Sequence, residues 1–283
     1  MRAWILGSSG MVGTCLHHLI EKQGFLVFSS THDQLDVTNY DSLRALAYKI
    51  QPTHIFNCAA FTAVDEAEKN RQEAWDVNAK APGLIGKVAV ELGCKVIHIS
   101  TDYVFSGTKS IPFKEDDLKN PVNFYGMSKL EGEKNLLDQM PFACIVRTSW
   151  VYGSTGKNFI SSLVALMKSN QSILVANDQV SKPTFCYDLA HALLDLKDAT
   201  GIFHFASGEE ASRYEIAKEV FKYMKEHSMP IACQQVDPTT ASTFPTPAQR
   251  PNYSSLDTSK YEKYTHKKPR SWKETIKELF NEG

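Results

Sequence analysis

The stretch "ILGSSGMVG", residues 5–13, sits between an apolar run at residues 2–6 and a segment with helical spacing, "TCLHHLIEKQG". Three glycines punctuate it, and in a strand–turn–helix setting each has its own work. Gly7 permits a tight turn, Gly10 lets the backbone come close to a phosphate, and Gly13 lets the helix pack close on the strand. The helix start, with Met11 and Val12, offers free N–H groups and a partial positive charge to a pyrophosphate. The spacing is G-x-x-G-x-x-G rather than G-x-G-x-x-G, but a strand before it and a helix after it are the context that dinucleotide binding requires.

Outward from this turn, strands and helices alternate. "FLVFSS" (25–30), "HIFNCAA" (54–60), "KVIHIS" (95–100) and "FACIVRTSW" (142–150) read as strands. Helical segments lie between them at 41–50, along a long stretch before Gly93 that Pro82 interrupts early, and at about 124–138. The strands are apolar throughout rather than alternating, which argues a parallel sheet covered on both faces. The fold expected is α/β, a doubly wound parallel sheet of the Rossmann type. After residue 150 the pattern loosens. Helices are expected near 158–169, 185–197, 212–227 and 271–281, one further strand at 201–207, and a long loop at "DPTTASTFPTPAQRPNYSSL".

Composition excludes several classes. With 42% hydrophobic and 22% charged residues the chain has material for a core, so disorder is not expected. Lys and Arg number 31 against 32 Asp and Glu, so no basic surplus argues for nucleic-acid binding, and an anionic ligand must be held by a few placed groups. The six cysteines show no C-x-x-C pair and no metal-ligand grouping, and read as buried free thiols of a reducing compartment. The run "AWIL" is too short for a signal segment or a membrane span. These features predict a cytoplasmic chain with no membrane partner and no metal.

Tyr-x-x-x-Lys occurs three times, at 125/129, 214/218 and 264/268. Four residues on a helix bring two side chains to one face, and an ammonium beside a phenol would lower its pKa and make it a usable proton donor. Only the first copy follows a strand ending in hydroxyls, "HISTDYVFSG", where carboxyl ends of parallel strands line a ligand crevice. Tyr125 and Lys129 are therefore the candidate pair, with Thr101 as the second hydroxyl. The other two copies read as surface or packing residues.

"GSSGMVG", "NCAAFTAVDEAE", "ISTDYVFSG", "NFYGMSKLEGE", "VRTSWVYG", "NDQVSKPT" and "PTPAQRPNYSSL" together resemble the extended short-chain dehydrogenase/reductases and, within them, the dTDP-4-dehydrorhamnose reductase family. The resemblance runs from residue 1 to about 258 in the family's order. It implies a cofactor domain, residues 1–149 and 181–207, and a smaller C-terminal α/β substrate domain, residues 150–180 and 208–283. It implies reduction of the 4-keto group of a dTDP-linked 6-deoxyhexose to give dTDP-L-rhamnose. Thr101 would bind the carbonyl oxygen, Tyr125 would donate the proton, and Lys129 would hold the nicotinamide ribose and tune Tyr125. Asn57, Ala59 and Ala60 would line the nicotinamide side and Asn78 would support it. Asp102, Val104, Trp150 and Asn158 would face the substrate, and Arg250 would meet its diphosphate.

The end of the second strand, Ser29-Ser30-Thr31-His32, carries no acid to repel a ribose 2′-phosphate. Asp36 and Val37 come late and read as capping the adenine edge. NADPH is therefore favoured, with NADH also admitted. Some members of the family dimerise through carboxylates that share magnesium. Cys15 stands where such an acid is expected and "CYDLAHA" offers no counterpart, so no metal-bridged dimer is expected, and the chain reads as a monomer or a homodimer. Two alternatives stand beside the reductase: a non-catalytic subunit of the kind that regulates methionine adenosyltransferase, and a reductase for another nucleotide-linked 4-keto-6-deoxyhexose.

Overall fold

The structure, a computed structural model, describes residues 1–281. Strand and helix alternate through β1 (Arg2–Leu6), α1 (Met11–Lys22), β2 (Leu26–Ser30), α2 (Tyr40–Ile50) and β3 (His54–Asn57). Two short helices, α3 (Val64–Ala67) and α4 (Arg71–Trp75), lead through a π-helical turn (Asp76–Lys80) into α5 (Ala81–Leu92). β4 (Lys95–Thr101), α6 (Phe124–Gln139) and β5 (Cys144–Thr148) follow. Beyond them come β6 (Val151–Tyr152), α7 (Phe159–Ser169), β7 (Ser172–Ala176), β8 (Val180–Ser181), β9 (Thr184–Phe185) and α8 (Cys186–Asp195). The chain closes with β10 (Gly201–His204), β11 (Ala211–Ser212), α9 (Arg213–Glu226), β12 (Gln235–Thr239), α10 (Ser259–Thr265) and α11 (Trp272–Asn281).

Six strands form one parallel sheet in the order β2-β1-β3-β4-β5-β10. Alternate residues of each strand enter opposite layers. Ile5, Phe56, Ile97 and Val146 pack under Leu16 and Ile20 of α1 and Leu189 and Leu193 of α8, and this layer continues into Leu163 of α7 and Ile216 of α9. Trp4, Ile55, Val96 and Ile145 face Leu43 of α2, Ile85 and Val88 of α5 and Leu136 of α6. Each such side chain removed from water contributes about 1.5–3 kcal/mol. This two-sided burial is what the unbroken apolar strands require. β2 pairs to one side of β1 and β3 to the other, so the strand order switches there and opens a crevice beyond the carboxyl ends, where Leu6 stands level with Asn57.

The segment read as one long helix is three pieces. Pro82 has no N–H to give the carbonyl four residues back, that of Asn78. A π-helical turn at 76–80 absorbs the mismatch, and the Asn78 carbonyl faces Gly132 of α6, where an added Cβ would lie only 2.0 Å from it. The long loop read after residue 236 also differs. Its first residues belong to β12, which pairs in parallel with β7 in a separate two-stranded sheet, where Pro238 is tolerated because both strands are edges.

Candidate active site

Gly7 has φ of 75°, the left-handed region, and its N–H donates to Ser30 O at 3.0 Å. An added Cβ would lie 2.7 Å from Ala59 N, and one on Gly13 would lie 2.4 Å from Gly7 O. The turn thus rests directly on the segment that follows β3. α1 starts at Met11 with Gly10 as its N-cap and no side chain capping its N–H groups. That is a cradle of backbone donors shaped for an anion. Asn57, at the end of β3, accepts from Ala59 N at 3.2 Å and meets His98 Nδ1 at 2.9 Å; Ala60 continues this segment, partly exposed. Asp36 is exposed, and its carboxylate accepts from Thr38 N at 2.8 Å and Thr38 Oγ1 at 2.6 Å, which holds its pKa below the usual range. Val37 is buried in the layer beneath.

α6 places the candidate pair. Asn123 caps it, accepting from Gly126 N at 2.8 Å while donating to Gln249 O at 2.7 Å, and Glu68 accepts from Phe124 N at 2.8 Å. Tyr125 opens the first turn and Lys129 follows on the next, facing the carboxyl end of β4. There Thr101 donates to Asp102 Oδ1 at 3.0 Å and accepts from Tyr103 N at 3.2 Å. Burial raises the Tyr125 phenol above its ordinary pKa, and the Thr101 hydroxyl, in hydrogen-bonding reach, pulls the other way. Lys129 is 2% exposed and donates to Ile99 O at 2.7 Å, with His98 Nε2 at 3.4 Å. Burial draws its ammonium down to about 8, against the nearby charge of Glu133. The Lys129 ammonium donates to a backbone carbonyl, and the influences on the Tyr125 phenol are burial, Thr101, Asp102 and Tyr103. Asn78 accepts from Phe61 N and donates to Phe61 O and Ser128 Oγ, tying the 58–63 segment to α6.

Behind this group lies a buried ion pair that the sequence reading did not single out. Glu133, one turn after Lys129, takes two bonds from Arg147 of β5, at 2.8 and 2.7 Å, and one from Ser100 Oγ at 2.5 Å. Arg147 also donates to Glu115 O and stands 3.4 Å from His204 Nε2. A signal was present: a charged residue inside "CIVRT", and an acid at the same helical spacing as Tyr125 and Lys129. The pair fastens α6 to β4 and β5, and so fixes where Tyr125 stands over Thr101.

On the far side of the crevice the expected residues divide. Asp102 is 2% exposed and burial pushes its carboxyl up to about 7. Trp150 is partly exposed with φ of 44°, a strained left-handed backbone. Arg250 is bound by Asp65, at 2.7 and 3.1 Å. Val104 is fully buried with Phe105, Phe113 and Leu256, and its carbonyl accepts from Asn120 N. Asn158 caps α7 through Ser161 N and donates to Gly153 O, so its side chain is engaged within its own loop. Sequence reasoning missed Tyr103, Asp65 and Arg213, whose side chains the fold brings to this wall. The remaining Tyr-x-x-x-Lys copies lie elsewhere: Lys218 covers the Tyr214 ring on α9, and Tyr264 packs on Phe203. Among the described residues no helix is long and apolar enough to cross a membrane.

The chain resembles known proteins along its whole length. The sequence profile described as "RmlD substrate binding domain" matches residues 1–283. The dTDP-4-dehydrorhamnose reductase of Salmonella typhimurium is 35% identical, over 100% of this chain and 98% of that protein. The crystal structure of a dTDP-4-dehydrorhamnose reductase from Clostridium acetobutylicum superimposes with a TM-score of 0.93 at 34% identity, covering 99% of each chain. That of the Bacillus anthracis enzyme in complex with NADP gives a TM-score of 0.93 at 31% identity, over 100% of this chain and 99% of that one. With a parallel sheet whose strand order switches at a glycine turn, a Tyr–Lys helix set over a strand-end threonine, and relatives matched end to end, this chain belongs to the dTDP-4-dehydrorhamnose reductase family.

Proposed function

We propose that this chain reduces the 4-keto group of dTDP-4-dehydrorhamnose to give dTDP-L-rhamnose, with NADPH as the reductant. The observation that carries this reading is the convergence of the Thr101 and Tyr125 hydroxyls at the carboxyl end of β4. The glycine cradle fits a dinucleotide: without side chains at positions 7 and 13 the turn packs tightly on its own backbone and on the segment after β3, and the N–H groups that open α1 have no capping side chain. Gly7, Gly10, Met11, Val12 and Gly13 would hold the pyrophosphate, Ala59 and Ala60 the nicotinamide side, and Lys129 the ribose hydroxyls. When bound, the reduced nicotinamide supplies hydride to the carbonyl carbon.

Tyr125 gives its phenolic proton to the carbonyl oxygen as negative charge develops there. Because burial keeps the phenol protonated at neutral pH, the donor is always loaded. Thr101, its hydroxyl turned from Asp102 Oδ1, donates a second hydrogen bond to the same oxygen and orients it, and the Glu133–Arg147 pair keeps both hydroxyls in register. Trp150, Asp102 and Arg250 form the sugar and diphosphate side, with Asn158 and Val104 shaping it from behind. Residues 1–149 and 181–207 would serve the cofactor, and 150–180 with 208–283 the nucleotide sugar. Six cysteines without a C-x-x-C pair support a reducing compartment, the cytoplasm, where the chain would act as a monomer or homodimer.

The test is NADPH oxidation with the 4-keto sugar generated in situ, beside its close isomers. Tyr125→Phe is expected to lose about 10²-fold or more in turnover while NADPH still binds. Full activity in that variant would remove Tyr125 from the mechanism.

A further inference from the structure

The wall beyond Tyr125 carries a cation that the assignment above does not use. Arg213 is the first residue of α9, at the helix end whose N–H groups already favour negative charge. Its guanidinium lies over the Trp150 indole at 4.3 Å and the Phe159 ring at 4.6 Å, and its Nε donates to Gln179 Oε1 at 2.8 Å. Every one of these partners is neutral. Among the described residues no carboxylate forms an ion pair with it; the nearest that it senses is Asp102, which burial leaves only partly ionised at neutral pH. A cation set against a helix N-terminus, partly shielded from water and without a counter-charge, is an unfavourable arrangement on its own. Trp150 adds strain of its own through its left-handed backbone, and strain of that kind persists at ligand clamps.

Arg250 approaches the same place from the other side. Both guanidiniums act on the Tyr103 hydroxyl, and the Tyr103 ring meets that of Tyr125 edge-on with centroids 6.0 Å apart. The two cations therefore converge about one ring's breadth from the catalytic phenol, where the far end of a hexose held by its carbonyl would lie. They are not equivalent. Arg250 is neutralised by Asp65, whereas Arg213 brings an unmatched charge. Aromatic faces cover the Arg213 plane and Gln179 occupies its Nε–H, so the remaining donors are the in-plane terminal N–H groups on the Tyr103 side, the fork that meets two phosphate oxygens.

We propose that Arg213 is a substrate-binding residue that supplies the counter-charge for the diphosphate of the nucleotide sugar, with Trp150 and Phe159 fixing its plane and Gln179 its rotation. The proposal rests on the nucleotide-sugar reading above and deepens it. The experiment is calorimetric titration of dTDP and of dTMP into the full chain and into Arg213→Met, with thermal melts alongside. The Met variant is expected to bind dTDP at least about tenfold more weakly, with a much smaller change for dTMP and none for NADPH. A folded Met variant that binds dTDP as the parent does overturns the proposal, as does equal weakening for both nucleotides. If the Met variant melts early, Arg213→Gln is read in its place, and unchanged dTDP affinity there overturns the proposal equally. Because binding needs no turnover, a chain inactive on the 4-keto sugar that still shows the tenfold difference supports the Arg213 assignment and sinks only the reductase reading.

Discussion

Lys129 is the residue whose environment most constrains the chemistry. It is sealed from water, held by one backbone carbonyl, and burial brings its ammonium down to about 8. A lysine lowered this far loses its charge within the working range, and kcat/KM reports such groups in the free enzyme. The expected outcome is a kcat/KM that is flat near neutrality and falls above pH 8 as Lys129 deprotonates, with NADPH affinity weakening over the same interval. Lys129→Met should be slow and show no such limb. A wild-type profile that stays level to pH 9.5 would separate Lys129 from both roles. At this scale the sequence was legible where a motif places a residue at a strand end or on one helix face, as for Thr101, Tyr125 and Lys129. It was silent where residues far apart in the chain meet: the Asp65–Arg250 pair spans 185 positions, and nothing local marks it. Arg213 did leave a local mark, a basic residue in the first turn of a helix where the dipole favours an acid.

α6 acts as a lever whose angle decides where Tyr125 stands. It is fastened at its start by Asn123 and Glu68, at its middle by Glu133, and along one face by the close approach of Gly132 to the π-helical turn. Gly132→Ala would place a Cβ 2.0 Å from the Asn78 carbonyl, against backbone rather than a yielding side chain. Overpacking of this kind costs about 1–3 kcal/mol, which for a chain above 150 residues lowers Tm by about 2–4 °C per kcal/mol. Because Tyr125 lies two turns earlier on the same helix, kcat/KM should fall with it; an unchanged Tm would show that α6 is not seated as described. The helix itself was readable from its spacing. The π-helical turn was not, because its cause is shared between Pro82 and the glycine on another element that accepts the displaced carbonyl. β7 and β12 escaped for a related reason: two short strands, one holding Pro238, have no periodicity long enough to show before they pair.

Across the whole molecule, three buried titrating groups oppose one another. His98 and His204 are fully buried and kept neutral, His98 far below its ordinary range and His204 down to about 3, in both cases chiefly by burial. Between the unfolded histidine pKa of 6.5 and about 4, the unfolded chain takes up two protons that the native state refuses, so these groups make stability fall on acidification. Asp102 works in the opposite sense. Its native pKa of about 7 lies above the unfolded 3.8, so the native state binds a proton that the unfolded chain does not, and stability is lost as pH rises through that window. Each group contributes a slope of about 1.4 kcal/mol per pH unit, and one of the two histidine slopes is thereby cancelled. Asp102→Asn, nearly the same shape, removes the cancelling slope. Relative to the parent, the variant should gain stability steadily between pH 4 and pH 7 and hold a constant difference above it, while its own Tm drops more steeply on acidification. Thermal melts of the two proteins from pH 4 to pH 8 test this, and curves that run parallel throughout would mean that Asp102 is ionised in the native state, its charge then matched by Arg213 rather than left for a ligand to meet.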